Sequence, residues 1–137
     1  MPQPVVTRPA INCIVPSFIV HSAAASAAFY RDKLGFDVTF QAPEQDPFFF
    51  IVCRGGAMLM LKAVGVSPAP NRTRHPWARW DAYINAPDPD ALAEEFTSRG
   101  VLFSEPLKDT NDGLRGFELQ DADGYTIFFG RPLENSN

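Results

Sequence analysis

S-A-A-A-S-A-A-F-Y-R-D-K-L-G-F, Ser22 to Phe36, reads as a helix with a marked start and a marked stop. The Ser22 hydroxyl can accept a hydrogen bond from an orphan amide of the first turn, and Gly35 can take the left-handed conformation that ends a helix. Between them Ala23, Ala27, Tyr30 and Leu34 recur at helical spacing, with Arg31, Asp32 and Lys33 mostly off that stripe. A stripe that begins in alanine lets the helix lie close to whatever it covers. The β-rich flanks make that cover a sheet, so the unit is strand, helix, strand.

Upstream, Ile11 to Val20 is rich in β-branched residues, and Pro16 within it points to an edge strand or a bulge. Downstream, Phe36 to Gln41 alternates as a second strand until A-P-E-Q-D-P breaks it. Phe48 to Cys53 and Ala57 to Ala63 then flank R-G-G as a hairpin. The order is β-α-β-β-β.

The same order returns. Trp80 to Ala86 reads as a strand, and the next helix has Asp88 as N-cap, Pro89 in its first turn, a Leu92 and Phe96 stripe, and Gly100 as its stop. Val101 to Phe103, Gly116 to Asp121 and Tyr125 to Phe129 follow as strands, the last two around A-D-G. The helix stops Gly35 and Gly100, and the hairpin glycines Gly56 and Gly124, fall at matching places. Identity between the halves is slight, so the repeat is one of architecture. The expected organisation is an arm at 1–9, a first module at 10–64, a proline-rich linker at 65–77, a second module at 78–132 and a tail at 133–137. The expected fold class is α+β: two βαβββ modules forming curved mixed sheets around a central cleft, with the helices on the outer faces.

At 137 residues and 45% hydrophobic content the chain can build a real core. A net charge of −4 without a basic stripe argues against nucleic acid as the main partner and leaves an acidic surface that tolerates cationic ligands. No apolar run approaches the ~18 residues that span a bilayer, and the N-terminus lacks a signal peptide's apolar stretch; the expected location is the cytoplasm. Cys13 and Cys53 lie in strand-like apolar runs and are expected to be buried free thiols.

F-Y-R-D-K-L-G-F, together with G-L-R-G-F-E-L-Q-D-A-D-G-Y-T-I-F-F-G, resembles the vicinal oxygen chelate superfamily of glyoxalase I, extradiol dioxygenases, fosfomycin-resistance enzymes and bleomycin-resistance proteins. The resemblance runs from Ala10 to Pro132. It implies that metal-dependent relatives hold a divalent cation with His and Glu side chains at positions corresponding here to Val15, Met60, Asp81 and Phe128. Valine and phenylalanine offer no lone pair, and a thioether is too soft for magnesium or manganese. Neighbours such as Ile14, Pro16, Leu59, Leu61, Ile127 and Phe129 are no better. The resemblance therefore points to the branch similar to bleomycin-resistance proteins, which are homodimers that sequester a planar or cationic drug in a cleft with no metal or other cofactor. Two alternatives stand beside it. One is a lyase or isomerase of the same fold, using a non-standard metal site or Asp81 or Glu118 as base; the other is an interaction module whose cleft Phe128 and Met60 have filled.

Period-two alternation nominates the residues of the cleft. Arg79, Asp81, Tyr83 and Asn85 share one strand face, with Trp80, Ala82 and Ile84 toward the helix. A three-residue A-D-G loop pairs Asp121 with Tyr125. That sets Glu118 and Gln120 beside Thr126 and Phe128, and turns Phe117, Leu119, Ile127 and Phe129 toward the helix. Asp81 reads equally as a partner for a cation or as a solvated strand residue; Glu118 has the same two readings, with the ligand role the weaker because a slip of one residue turns it to the opposite face. Met60 and Phe128 read as packing or as an apolar floor for an aromatic ligand. Phe49 stands for the F-F-F run, in which at least one ring should face the cleft, and Trp77 could stack on a ligand or anchor a partner subunit. His21 reads as a surface residue, His75 sits in the proline-rich linker with no obvious partner, and no Ser-His-acid or activated-cysteine grouping is evident.

Overall fold

Local chemistry at the ends of the two long helices sets the frame. The computed structural model describes residues 7–134, and the outer parts of the expected arm and tail lie outside them. Its first half runs Ser17–Ile19 (β1), Ala23–Leu34 (α1), Asp37–Ala42 (β2), Phe49–Arg54 (β3) and Ala57–Lys62 (β4). A short helix at Asn71–Arg74 (α2) follows. The second half runs Ala82–Asn85 (β5), Pro89–Ser98 (α3), Phe103–Asp109 (β6), Leu114–Gln120 (β7) and Thr126–Pro132 (β8). The Ser22 hydroxyl accepts from the Ala25 amide and the Asp88 carboxylate from that of Ala91. Gly35 and Gly100 take φ of +70° and +81° at the two stops.

The sheets have the same design, β1-β4-β3-β2 and β5-β8-β7-β6. In each, the first strand lies parallel beside the last and the others are antiparallel, the pairing a βαβββ unit must make when its helix crosses one face. The chain therefore folds as two βαβββ modules with mixed sheets, as expected. One helix covers one face of each sheet. Tyr30 and Leu34 of α1, Phe96 of α3, and Phe117, Leu119, Ile127 and Phe129 of the second sheet are all buried in a single core that runs through both modules. Phe96 meets Phe117 and Phe129 edge-on, with ring centres 5.8 and 5.2 Å apart.

Several expectations need correction. The first strand is only Ser17–Ile19, because Pro16 has no amide to donate and the residues before it leave the sheet. Cys13 is consequently exposed, its Sγ 3.7 Å from the Met58 sulfur, and Cys53 is half-buried. Val101 to Phe103 is not the strand; β6 begins at Phe103 and continues through Pro106, which an edge strand tolerates. The linker contains α2. Residues 80 and 81 precede the strand, so alternation does not reach Trp80, and its ring lies on the Phe128 side of the sheet.

Candidate functional site

The face of the second sheet away from α3 is built around two glycines. Gly116 on β7 and Gly130 on β8 are directly paired, and Phe128 lies across them. A Cβ at Gly116 would strike the Phe129 carbonyl and come within 2.6 Å of the Phe128 ring; one at Gly130 would also meet that ring at 2.6 Å. The bare backbone therefore lets the phenyl ring lie low against the sheet. Glu118 is paired with Phe128 and Gln120 with Thr126, as alternation required.

Above this floor opens a hollow of about 620 Å³, lined among others by Arg72, Arg79, Lys108, Glu118, Thr126 and Phe128. Phe128 belongs to its lining, and Trp80 and Tyr83, which do not, stack on that ring with centres 4.5 and 5.5 Å away. Most charges around it are already paired. Arg79 meets Asp112 at 3.2 Å with its guanidinium 4.7 Å from the Trp80 ring centre, and Lys108 meets Glu105 at 3.0 Å. Asp109 is held by Arg115 at 3.0 Å. Among the described residues neither Glu118 nor Arg72 has an ion-pair partner, Arg72 reaching only the Gln120 side-chain oxygen at 3.3 Å and the Gly124 carbonyl at 3.4 Å, so the lining carries one unpaired carboxylate and one unpaired guanidinium.

The nominated residues separate into groups. Arg79, Glu118 and Phe128 line the hollow together, while Tyr83, stacked on Phe128, lines a different groove between the modules. Asp81 sits at the same edge as a brace: one carboxylate oxygen accepts from the Asn71 amide at 2.8 Å and the other from the Thr126 amide at 2.9 Å. Phe49 and Met60 stand on the first sheet and contribute nothing to this hollow, which no first-module residue lines. Phe49 instead packs edge-on to Phe40. Trp77 is 86% exposed beside His75, away from the stack. Sequence reading missed Trp80, Arg72 and Lys108. Trp80 lies outside any strand, α2 positions Arg72, and Lys108 belongs to the part of β6 that its proline and charges disguised.

The positions that the resemblance assigns to metal ligands do not fit a cation. Val15 and Phe128 are hydrocarbon, Phe128 is 2% exposed beneath Trp80, and both oxygens of Asp81 are engaged by backbone amides. A second groove of about 820 Å³ between the modules is lined largely by hydrocarbon from Phe36, Met58, Leu59, Leu92 and Phe96. Its carboxylates are spent, Glu95 on Arg54 and Asp88 on the α3 cap.

Solved structures that share the fold include the following three. TioX from Micromonospora sp. ML1 aligns with a TM-score of 0.70 at 20% identity, covering 88% of this chain and 98% of that one. TnmS3, an antibiotic binding protein from Streptomyces sp. CB03234, aligns at 0.67 and 22% identity over 92% and 99% of the two chains. The bleomycin-binding protein from bleomycin-producing Streptomyces verticillus, complexed with copper(II)-bleomycin, aligns at 0.65 and 25% identity over 90% and 98%. No curated protein matches the sequence. The model of the glyoxalase/bleomycin resistance protein/dioxygenase superfamily matches residues 10–129, most of the chain, which therefore belongs to that superfamily.

Proposed function

We propose that the protein sequesters an aromatic or cationic small molecule in the hollow of its second sheet, without a metal. The observation that carries this reading is a lining that combines the Phe128 ring with the Glu118 carboxylate, which has no ion-pair partner among the described residues. A planar ring gains stacking and burial on the first, and a cation gains a charge-assisted hydrogen bond from the second. Arg79 is the rim residue beside the stack. Similarity in fold to an antibiotic binding protein and a bleomycin-binding protein supports the same reading. Asp81, one of the two carboxylates considered as a base, is spent as a brace, both of its oxygens accepting backbone amides.

The working unit is proposed to be a homodimer. Phe49 and Met60 would then reach ligand only from a second copy whose first sheet faces this hollow, with exposed Trp77 packed at the contact. The proposed setting is the cytoplasm; no helix among the described residues is long and apolar enough to cross a membrane.

Titration with bleomycin and a panel of planar aromatic antibiotics tests the reading through intrinsic fluorescence and melting temperature. Saturable quenching and a raised Tm, both insensitive to EDTA, are expected. Glu118→Gln should weaken cationic members about tenfold, the loss of roughly one charge-assisted bond. A panel that leaves fluorescence and Tm unchanged would remove the reading.

A further inference from the structure

Beside the hollow, Trp80 covers one of the rings that line it, Phe128, and the cover is held at a cost. Trp80 lies on Phe128 with the ring planes 25° apart and leaves that phenyl 2% exposed. Its indole N–H is closed off from solvent and has no acceptor. The hydroxyl of Thr126, two residues before Phe128 on the same face of β8, is equally orphaned in a side chain 2% exposed. Among the described residues four buried side-chain polar atoms lack a partner, and these two belong to the Phe128 floor and its cover. A donor and a hydroxyl desolvated without partners both disfavour the closed arrangement.

The backbone around the cover is pinned. The Trp80 carbonyl accepts from the Asn71 side chain at 3.1 Å, and Asp81 is bonded to Thr126 through both its amide and its carboxylate. The indole can therefore leave Phe128 only by turning about its own side-chain torsions. Behind Phe128 the paired glycines keep the phenyl low, so a departing indole uncovers a flat ring face.

We propose that Trp80 is a removable cover standing in for part of the ligand. A planar ring takes its place on Phe128, a hydrogen-bond acceptor beside that ring receives the Thr126 hydroxyl, and the freed indole N–H reaches water. This deepens the sequestration reading and rests on it, and it narrows the ligand class to planar aromatic compounds carrying a carbonyl or similar acceptor next to the ring.

One measurement needs no ligand. The chain has two tryptophans, so Trp77→Phe leaves Trp80 as the single indole. Hydrogen exchange followed by NMR should show its N–H exchanging on the order of 100-fold faster than the Phe117 and Ile127 amides of the same sheet, because a side-chain rotation is local. Exchange at the same rate as those amides would make Trp80 a fixed part of the core and overturn the proposal. Proflavine, a planar cation, and acridone, a planar ring with a carbonyl, then probe the uncovered site. Trp80→Ala should bind proflavine about fivefold tighter than the parent, since a competing stack has been removed. Weaker binding would make Trp80 a ligand contact, overturning the cover while the sequestration reading stands. Thr126→Val should weaken acridone about tenfold and leave proflavine unchanged; unchanged acridone affinity would take Thr126 out of the site. Failure of both dyes to bind either protein would count against sequestration, and the exchange rates alone would then decide the cover.

Discussion

Tyr30 and Asp121 meet where the modules touch. The Tyr30 hydroxyl, on a fully buried ring, donates to the Asp121 carboxylate at 2.5 Å, while the other carboxylate oxygen accepts from the Asp123 and Tyr125 amides. Burial is the largest influence and pushes the Asp121 carboxyl up to about 6, against the pull of its three donors and with the nearby Asp123 charge in support. A carboxyl raised in the folded state binds its proton more tightly there than in the unfolded chain. Its contribution to stability is therefore complete below about pH 4 and is lost as the pH rises toward 6 and beyond, by on the order of 2–3 kcal/mol. Asp32, Asp90 and Glu95, held low by hydrogen bonds from Arg31, Arg115 and Arg54, act the opposite way, their contributions being lost on acidification. Urea unfolding at pH 5 and pH 7 should show the parent losing stability over this interval and Asp121→Asn losing markedly less. Identical pH dependence in the two proteins would contradict the assignment. Alternation alone identified the neighbours of this latch correctly as far as a strand extends. It turned Ile127 and Phe129 to the core and Thr126 and Phe128 to the hollow. It failed at Trp80 because period two has no meaning where no strand exists.

At the scale of elements, what was legible is what short-range chemistry decides. Ser22 and Asp88 cap α1 and α3 as their side chains dictate, and Asp88→Ala should lower stability by about 1 kcal/mol, measurable as a shift in the urea midpoint at unchanged slope. Gln at position 120 facing Thr126 follows from the three-residue turn, in which the Gly124 amide donates to the Asp121 carbonyl at 3.1 Å. What was not legible depends on neighbours distant in sequence. Ile11 to Pro16 has the composition of a strand but no partner, since β1 pairs β4 only from Met60 to Lys62. Conversely, S-E-P-L-K-D looks like a loop and is β6, an outer strand whose register shifts twice against β7 and accommodates Pro106. Helix α2 has four residues and no side-chain cap, so nothing local announces it.

For the whole molecule, the modules are joined through their backs and leave their other faces apart. Arg54 forks onto Glu95 at 2.7 and 2.8 Å and also donates to the Leu34 carbonyl, Lys33 reaches the Arg99 carbonyl, and the Tyr125 hydroxyl reaches that of Ile19. These bonds and the shared core make a single unfolding transition the expectation, because neither half keeps its buried surface alone. They also hold the first-sheet face bearing Phe49 and Met60 away from the hollow bearing Glu118 and Phe128. A hollow walled by one module gives a ligand one aromatic face. Sequestration tight enough to matter gains from a second wall, because affinity for a small molecule rises with the share of its surface removed from water. The proposed homodimer supplies that wall from a second copy, and it ties binding to assembly. Sedimentation equilibrium should show a dimer at micromolar concentration, and Trp77→Glu, a charge placed at the proposed contact, should yield monomer with at least about tenfold weaker binding of the antibiotic panel. A Trp77→Glu monomer that binds the panel as tightly as the parent would place the entire site within one chain and remove the dimer from the proposal.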